Sequence, residues 1–171
     1  GWKIEVNGGE KSAVMPAAQN KGTRIDVRDL FYATPARLKF LKSSASETAQ
    51  CVDILNRIAL ANPHISFYLT EDNKKKISLN ACQGELFAMG RQFGENSLLI
   101  DAARENLRIS GYVSLPTLNK ANSLSQYLFV NNRPVRDKLL LGAIKGAYQD
   151  VLASNRYPMC ALFFDIDPAY V

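Results

Sequence analysis

Residues 22–42 read "GTRIDVRDLFYATPARLKFLK". The first half alternates: Ile25 and Val27 fall on one side, Arg24, Asp26 and Arg28 on the other, a period of two that predicts a half-buried β-strand. Pro35 suits the first turn of a helix, where its missing N–H is no loss. "PARLKFLK" then predicts two helical turns with Leu38 and Leu41 inward. Arg37, Lys39 and Lys42 are left on the outer surface.

Upstream, "WKIEVNGGEKSAVMPA" predicts two short strands about Asn7-Gly8-Gly9, residues that readily supply the positive φ of a tight hairpin. Downstream, Ser44 and Glu47 have capping-box spacing, and Cys51, Val52, Leu55, Ile58 and Ala59 recur at helical intervals until Asn62-Pro63 ends the run. "ISFYLTEDNKKKISLN" predicts a hairpin about a polar turn, Lys74 to Lys76 being solubilising charges on an edge strand. From Cys82 the pattern restarts. A helix is expected at "QGELFAMGRQF", strands at "SLLIDAA", "LRISGYVSL" and "SQYLFVN", a long helix at "RDKLLLGAIKGAYQDVL", and a last strand at "CALFFDID". Both halves are α+β. A domain boundary is expected near residues 80–84, dividing 1–80 from 81–171.

The 171 residues are 47% hydrophobic and 22% charged, enough to bury a core in one or two domains. No apolar run approaches the roughly 18 residues of a membrane-spanning helix, and a soluble, cytoplasmic protein is expected. The chain opens on Gly and stops just after an apolar strand, as if excised from something longer. Cys51, Cys82 and Cys160 are odd in number and widely spaced. They form neither a disulfide framework nor a zinc ribbon, and they read as buried reduced thiols.

The net charge of +5 is unevenly spread. Residues 21–45 carry a net +4 and residues 131–157 a net +3, while the remainder is slightly acidic at −2. Two such basic islands are either a polyanion-binding surface or ordinary solvated faces. In the second island Arg133 and Arg136 precede the long helix. Lys138, Lys145 and Gln149 share the face opposite a buried stripe of Leu140, Ile144, Ala147 and Val151. Two guanidinium groups beside outward-facing N–H groups of a helix N-terminus would make a phosphate seat. The alternative is that Asp137 and Asp150 pair with these cations as surface salt bridges.

Catalytic motifs are missing. There is no G-x-S-x-G, Cys/His pair, phosphate loop or metal-spaced carboxylate cluster. His64 reads as a loop residue. Asp165 and Asp167 alternate on the last strand and read either as a carboxylate pair or as a turn. No catalytic or metal-binding residue is expected, and the chain by itself should catalyse nothing.

The stretch 22–42, together with "QYLFVNNRPVRDKLL" and "YPMCALFFDIDPAYV", resembles three ordered segments of the MutL family of DNA mismatch repair proteins. The resemblance runs the length of the chain. It departs at Ala33, where the family usually has Asn, and at Asn132, where it usually has Gly; Asn tolerates a left-handed turn.

The resemblance implies the rear part of a gyrase- and histidine-kinase-type ATPase domain (1–80), followed by a topoisomerase-like α/β transducer domain (81–171). That transducer has a left-handed βαβ crossover, against the usual right-handed rule. It implies that Gly22 and Thr23 back a nucleotide site. The magnesium-binding asparagine and glycine-rich lid would lie upstream of Gly1, and a γ-phosphate-contacting lysine just beyond Val171. ATP and Mg would bind the full-length protein and neither would bind this piece alone. ATP binding would drive homodimerisation, and mismatch-recognition and strand-processing proteins would be partners, with no membrane involved. Arg37, Lys39 and Lys42, with Arg133, Arg136, Lys138 and Lys145, would line a shared groove and hold DNA without reading sequence. In a bacterium the protein would be cytoplasmic and nucleoid-associated. A non-catalytic nucleic-acid-binding module, acting only through its basic surface, is the competing reading.

Overall fold

The structure, a computed structural model, describes residues 1–81 and 89–170. It divides into two compact units, Gly1–Glu47 and Thr48–Val171. The boundary expected near 80–84 falls largely on residues 82–88, which lie outside the described ones; the compact units themselves divide between Glu47 and Thr48.

In the first unit the strands are two-residue pairs. They are β1 (Trp2–Lys3), β2 (Val6–Asn7), β3 (Glu10–Lys11) and β4 (Met15–Pro16), with β2 pairing β3 and β1 pairing β4. Gly8 and Gly9, at φ 61° and 98°, make a two-residue turn between Asn7 and Glu10, within the turn expected at Asn7-Gly8-Gly9. The strand expected at 22–31 does not form. Residues 23–28 join no ladder, and Ile25 and Val27 are 81% and 73% exposed. A half-buried strand needs a neighbour for its N–H and C=O groups and a layer beneath its apolar side, and neither is present within this unit. Helix α1 (Pro35–Leu38) is one turn rather than two, with Pro35 at its start as predicted. Leu38 and Leu41 are exposed rather than inward, for the same lack of a layer to pack on.

Helix α2 (Ser44–Ala61) crosses the division. Its cap is shifted by one residue from the expected Ser44/Glu47 box. Ser43 Oγ accepts from Ser46 N at 3.4 Å, and Glu47 Oε1 accepts from Lys42 N at 2.9 Å. The buried face is also rotated. Arg57, Ala59 and Leu60 are buried, whereas Cys51 and Ile58 of the predicted stripe are exposed.

The second unit continues through β5 (Phe67–Glu71), β6 (Lys74–Leu79), α3 (Arg91–Glu95), β7 (Ser97–Arg104), β8 (Leu107–Ser114) and β9 (Asn119–Lys120). It ends with β10 (Gln126–Val130), β11 (Arg133–Val135), α4 (Lys138–Ala147), β12 (Tyr157–Pro158) and β13 (Cys160–Ile166). The hairpin β5–β6 turns on Asp72 and Asn73, both at positive φ. Most of the helix expected at 83–93 lies outside the described residues; α3 covers its end.

Among the described residues one sheet has the order β11-β10-β13-β8-β7. β10 and β13 pair in parallel, joined through β11 and α4, and the other neighbours are antiparallel. The near-continuous apolar runs "QYLFV" and "CALFF" are explained by cover on both faces. On one face Leu60 of α2 packs with Tyr127, Phe129, Ala161 and Phe163, the two phenyl rings stacked at 4.6 Å. On the other, Ile144 of α4 packs with Leu128, Cys160, Leu162 and Phe164, flanked by Leu140, Leu141 and Tyr148.

Two expectations for α4 fail together. The helix stops at Ala147, so Ala147 and Val151 are exposed, and Tyr148 completes the buried stripe by donating to Ser114 O at 2.6 Å. Of the cysteines expected to be buried, Cys160 is buried and Cys51 is exposed, on the face of α2 turned away from the sheet; Cys82 lies outside the described residues.

Candidate nucleic-acid interface

The late cations are delivered by a hairpin and a helix start. Asn131 and Asn132, at φ 47° and 62°, form the two-residue turn between β10 and β11, a left-handed pair that suits asparagine at the position where glycine was the expected residue. The turn presents Arg133 at the head of β11, an edge strand of the sheet, and Arg133 is exposed. Arg136 follows, then Asp137, which caps α4: its Oδ1 accepts from Leu139 N at 2.9 Å and from Leu140 N at 3.0 Å. Two N–H groups of the proposed phosphate seat are therefore already taken by a side chain of this chain. Lys138 and Lys145 are exposed on α4, with Lys145 Nζ 5.7 Å from the centre of the Tyr157 ring.

Arg136 has a partner that neither sequence alternative named. Its Nη2 donates to Asp53 Oδ2 at 2.9 Å. No ion pair among the described residues joins Asp137 or Asp150 to these cations. Asp53 Oδ2 also accepts from Arg57 Nε at 3.0 Å, and Asp53 Oδ1 from Arg57 Nη2 at 3.3 Å. The Arg57 side chain is 9% exposed, its guanidinium lies 4.8 Å from the centre of the Tyr127 ring, and its Nη1 is buried with no hydrogen-bond partner among the described residues. Burial and then the Asp53 carboxylate push the Tyr127 phenol above its ordinary value, opposed by Arg57, a hydrogen bond from Asn56, and Arg136.

Asp53 and Arg57 were missed in the sequence because both are charged, and a charged pair on a helix reads as its wet face. Their i,i+4 spacing in register with Leu60 was the available signal.

The early cations Arg37, Lys39 and Lys42 are exposed in the first unit, where Arg37 stacks 5.4 Å from the centre of the Phe31 ring. Gly22 lies at φ 135°, a backbone conformation that side-chain-bearing residues rarely adopt, with open space where a Cβ would stand. Asp167 Oδ1 accepts from Ala169 N at 2.9 Å, the turn reading of "DIDP". His64 is exposed in a loop. Among the described residues no cluster of His, Cys, Asp and Glu could hold a metal, and no helix is long and apolar enough to cross a membrane.

Exposed arginines on a hairpin and before a capped helix, carried by a mixed sheet covered on both faces, define an α+β protein with a basic edge. A family model described as "DNA mismatch repair protein, C-terminal domain" matches residues 87–171. The DNA mismatch repair protein MutL of Rhodospirillum rubrum is 50% identical over 99% of the chain, and that of Brucella anthropi 44% identical over 100%. The chain spans only 28% and 29% of those two proteins. The Aquifex aeolicus MutL ATPase domain complexed with ADP superposes with TM-score 0.73 at 25% identity, covering 96% of this chain and 61% of that one. A second structure of the Aquifex ATPase domain, from the mismatch repair endonuclease MutL, gives 0.75 at 24% identity over the same shares. The chain belongs to the MutL family of DNA mismatch repair proteins.

Proposed function

We propose that this chain is the section of a MutL-type protein that couples ATP binding and hydrolysis to DNA binding and to recruitment of repair partners. Residues 1–80 form the rear of the ATPase domain, with Gly22 and Thr23 behind the nucleotide, and residues 81–171 form the transducer. The ADP-complexed relative supports a nucleotide in the whole protein. Mg as its companion ion rests on the family resemblance. ATP-driven homodimerisation and a cytoplasmic, nucleoid-associated location belong to the same reading.

One observation carries the DNA assignment. Arg37, Lys39, Lys42, Arg133, Arg136, Lys138 and Lys145 are all exposed, and among the described residues only Arg136 of the seven is tied up in an ion pair. Exposed cations without carboxylate partners remain available to phosphates, with arginine suited to two-point contact. If about four of them meet phosphates, log affinity falls against log salt with a slope of roughly −4.

The test is a filter-binding salt titration of the chain and its Arg133→Glu and Arg136→Glu variants on duplex DNA. Weaker binding and a shallower slope in each variant are expected. Flat, unchanged curves would return these residues to ordinary solvated surface.

A further inference from the structure

We propose that Asp53 is a positioning residue for phosphate binding at Arg136, an inference that rests on the DNA-binding reading above. The arrangement runs from core to surface in three steps. Arg57 is the buried anchor, against the Tyr127 ring. Asp53, one helical turn earlier on α2, has both carboxylate oxygens bonded to that anchor. Arg136, 65% exposed and 83 residues further along the chain, is bonded to Asp53 through Nη2.

A carboxylate beside a DNA-binding arginine can either compete with phosphate or orient the arginine, and the charge of Arg57 decides which. Arg57 neutralises Asp53, so the three groups together carry one positive charge. An incoming phosphate meets a cation rather than a satisfied neutral pair. Arg136 is engaged through one nitrogen, and a guanidinium has five N–H donors, so most of its fork remains available. Ordering a long exposed arginine during folding removes that ordering loss from the binding step. Burying Arg57 with one nitrogen unpartnered among the described residues is unfavourable for stability alone. An anchor for Asp53 gives that buried charge a role.

The test is a double-mutant cycle read by salt titration on a short duplex of arbitrary sequence, with the whole chain. Asp53→Asn is expected to weaken binding about threefold to tenfold, the loss of one pre-ordered side chain, with the salt slope unchanged because Arg136 still reaches phosphate. Arg136→Gln is expected to reduce the slope by about 1. In the Arg136→Gln background, Asp53→Asn should weaken binding no further, since the side chain it would order is gone and the lost carboxylate charge acts only in favour of phosphate.

Tighter binding by Asp53→Asn would make Asp53 a competitor and overturn the proposal, as would equal weakening with and without Arg136, the mark of a general structural loss. If Arg136→Gln weakens binding and Asp53→Asn does not, the proposal alone fails; if Arg136→Gln changes nothing, the DNA reading of Arg136 fails with it. Should Asp53→Asn not fold, Asp53→Glu keeps the charge and displaces the carboxylate. Its binding should then be weakened with an unchanged slope, and wild-type affinity would overturn the proposal.

Discussion

The side chain of Asn131 closes both main-chain hydrogen-bonding positions of Ile166: its Oδ1 accepts from Ile166 N at 3.0 Å and its Nδ2 donates to Ile166 O at 2.9 Å. Asn131 N itself donates to Phe164 O at 2.9 Å. The amide thus imitates one more residue of strand, extending the β10–β13 pairing beyond the turn that starts at Asn131. Asn131→Gly keeps the left-handed backbone and loses the clamp, so it should cost about 1 kcal/mol in urea denaturation. Asn131→Ala adds the steric penalty of positive φ, and should cost about 1–2 kcal/mol more. Equal midpoints for the two variants would show that the backbone conformation contributes nothing.

Gly111 on β8 lies at φ 122°, and a Cβ placed there would stand 2.1 Å from Ala161 O on the neighbouring strand. Backbone, unlike the end of a side chain, cannot swing aside. Gly111→Ala is expected to destabilise by about 3 kcal/mol or more, seen as a lowered denaturation midpoint. Gly146 in α4 has open space at the same position, so Gly146→Ala should stabilise by about 0.5–1 kcal/mol.

Burial pushes the Cys160 thiol up to about 12 from its ordinary 9.0. Between those values the unfolded chain loses this proton while the folded chain keeps it. Stability therefore falls as pH rises from 9 towards 12, by roughly 4 kcal/mol across the window. Cys160→Ala should be less stable at neutral pH but show a flatter alkaline decline, checked by denaturant titration at a series of pH values. In the native protein at pH 8 a thiol reagent should modify exposed Cys51 quickly and Cys160 only on unfolding.

Asp137 caps α4 and sets a negative charge beside the late cations. Removing the cap with Asp137→Ala should cost about 1 kcal/mol of stability. Asp137→Ser keeps a capping oxygen without the charge. If the DNA reading holds, Asp137→Ser should bind duplex DNA about twofold to fivefold more tightly at low salt, the scale of one surface charge, with stability nearly unchanged. Weaker binding by Asp137→Ser would show that the carboxylate assists the interface.

What was legible in the sequence was local. Gly8-Gly9 and Asp72-Asn73 make their turns because those residue types tolerate positive φ, and Pro35 opens α1 for an equally local reason. The runs "YLFV" and "CALFF" became buried strands because they are almost wholly apolar. The family relationship was legible too, since it is written in the order of residues. Tertiary structure decided which side of each element is inside. Ile25 and Val27 alternate with charged residues, yet the half-buried strand this predicts does not form, because no strand or layer within their unit covers them. The face of α2 that packs on the sheet carries Arg57, because a partner carboxylate and an aromatic ring make that burial tolerable. Arg136 found its carboxylate 83 residues away on another element, where Asp137 was the near choice in sequence. Periodicity and turn chemistry act over a few residues and survive in the sequence; burial and charge pairing depend on which surfaces meet, and only the folded chain specifies that.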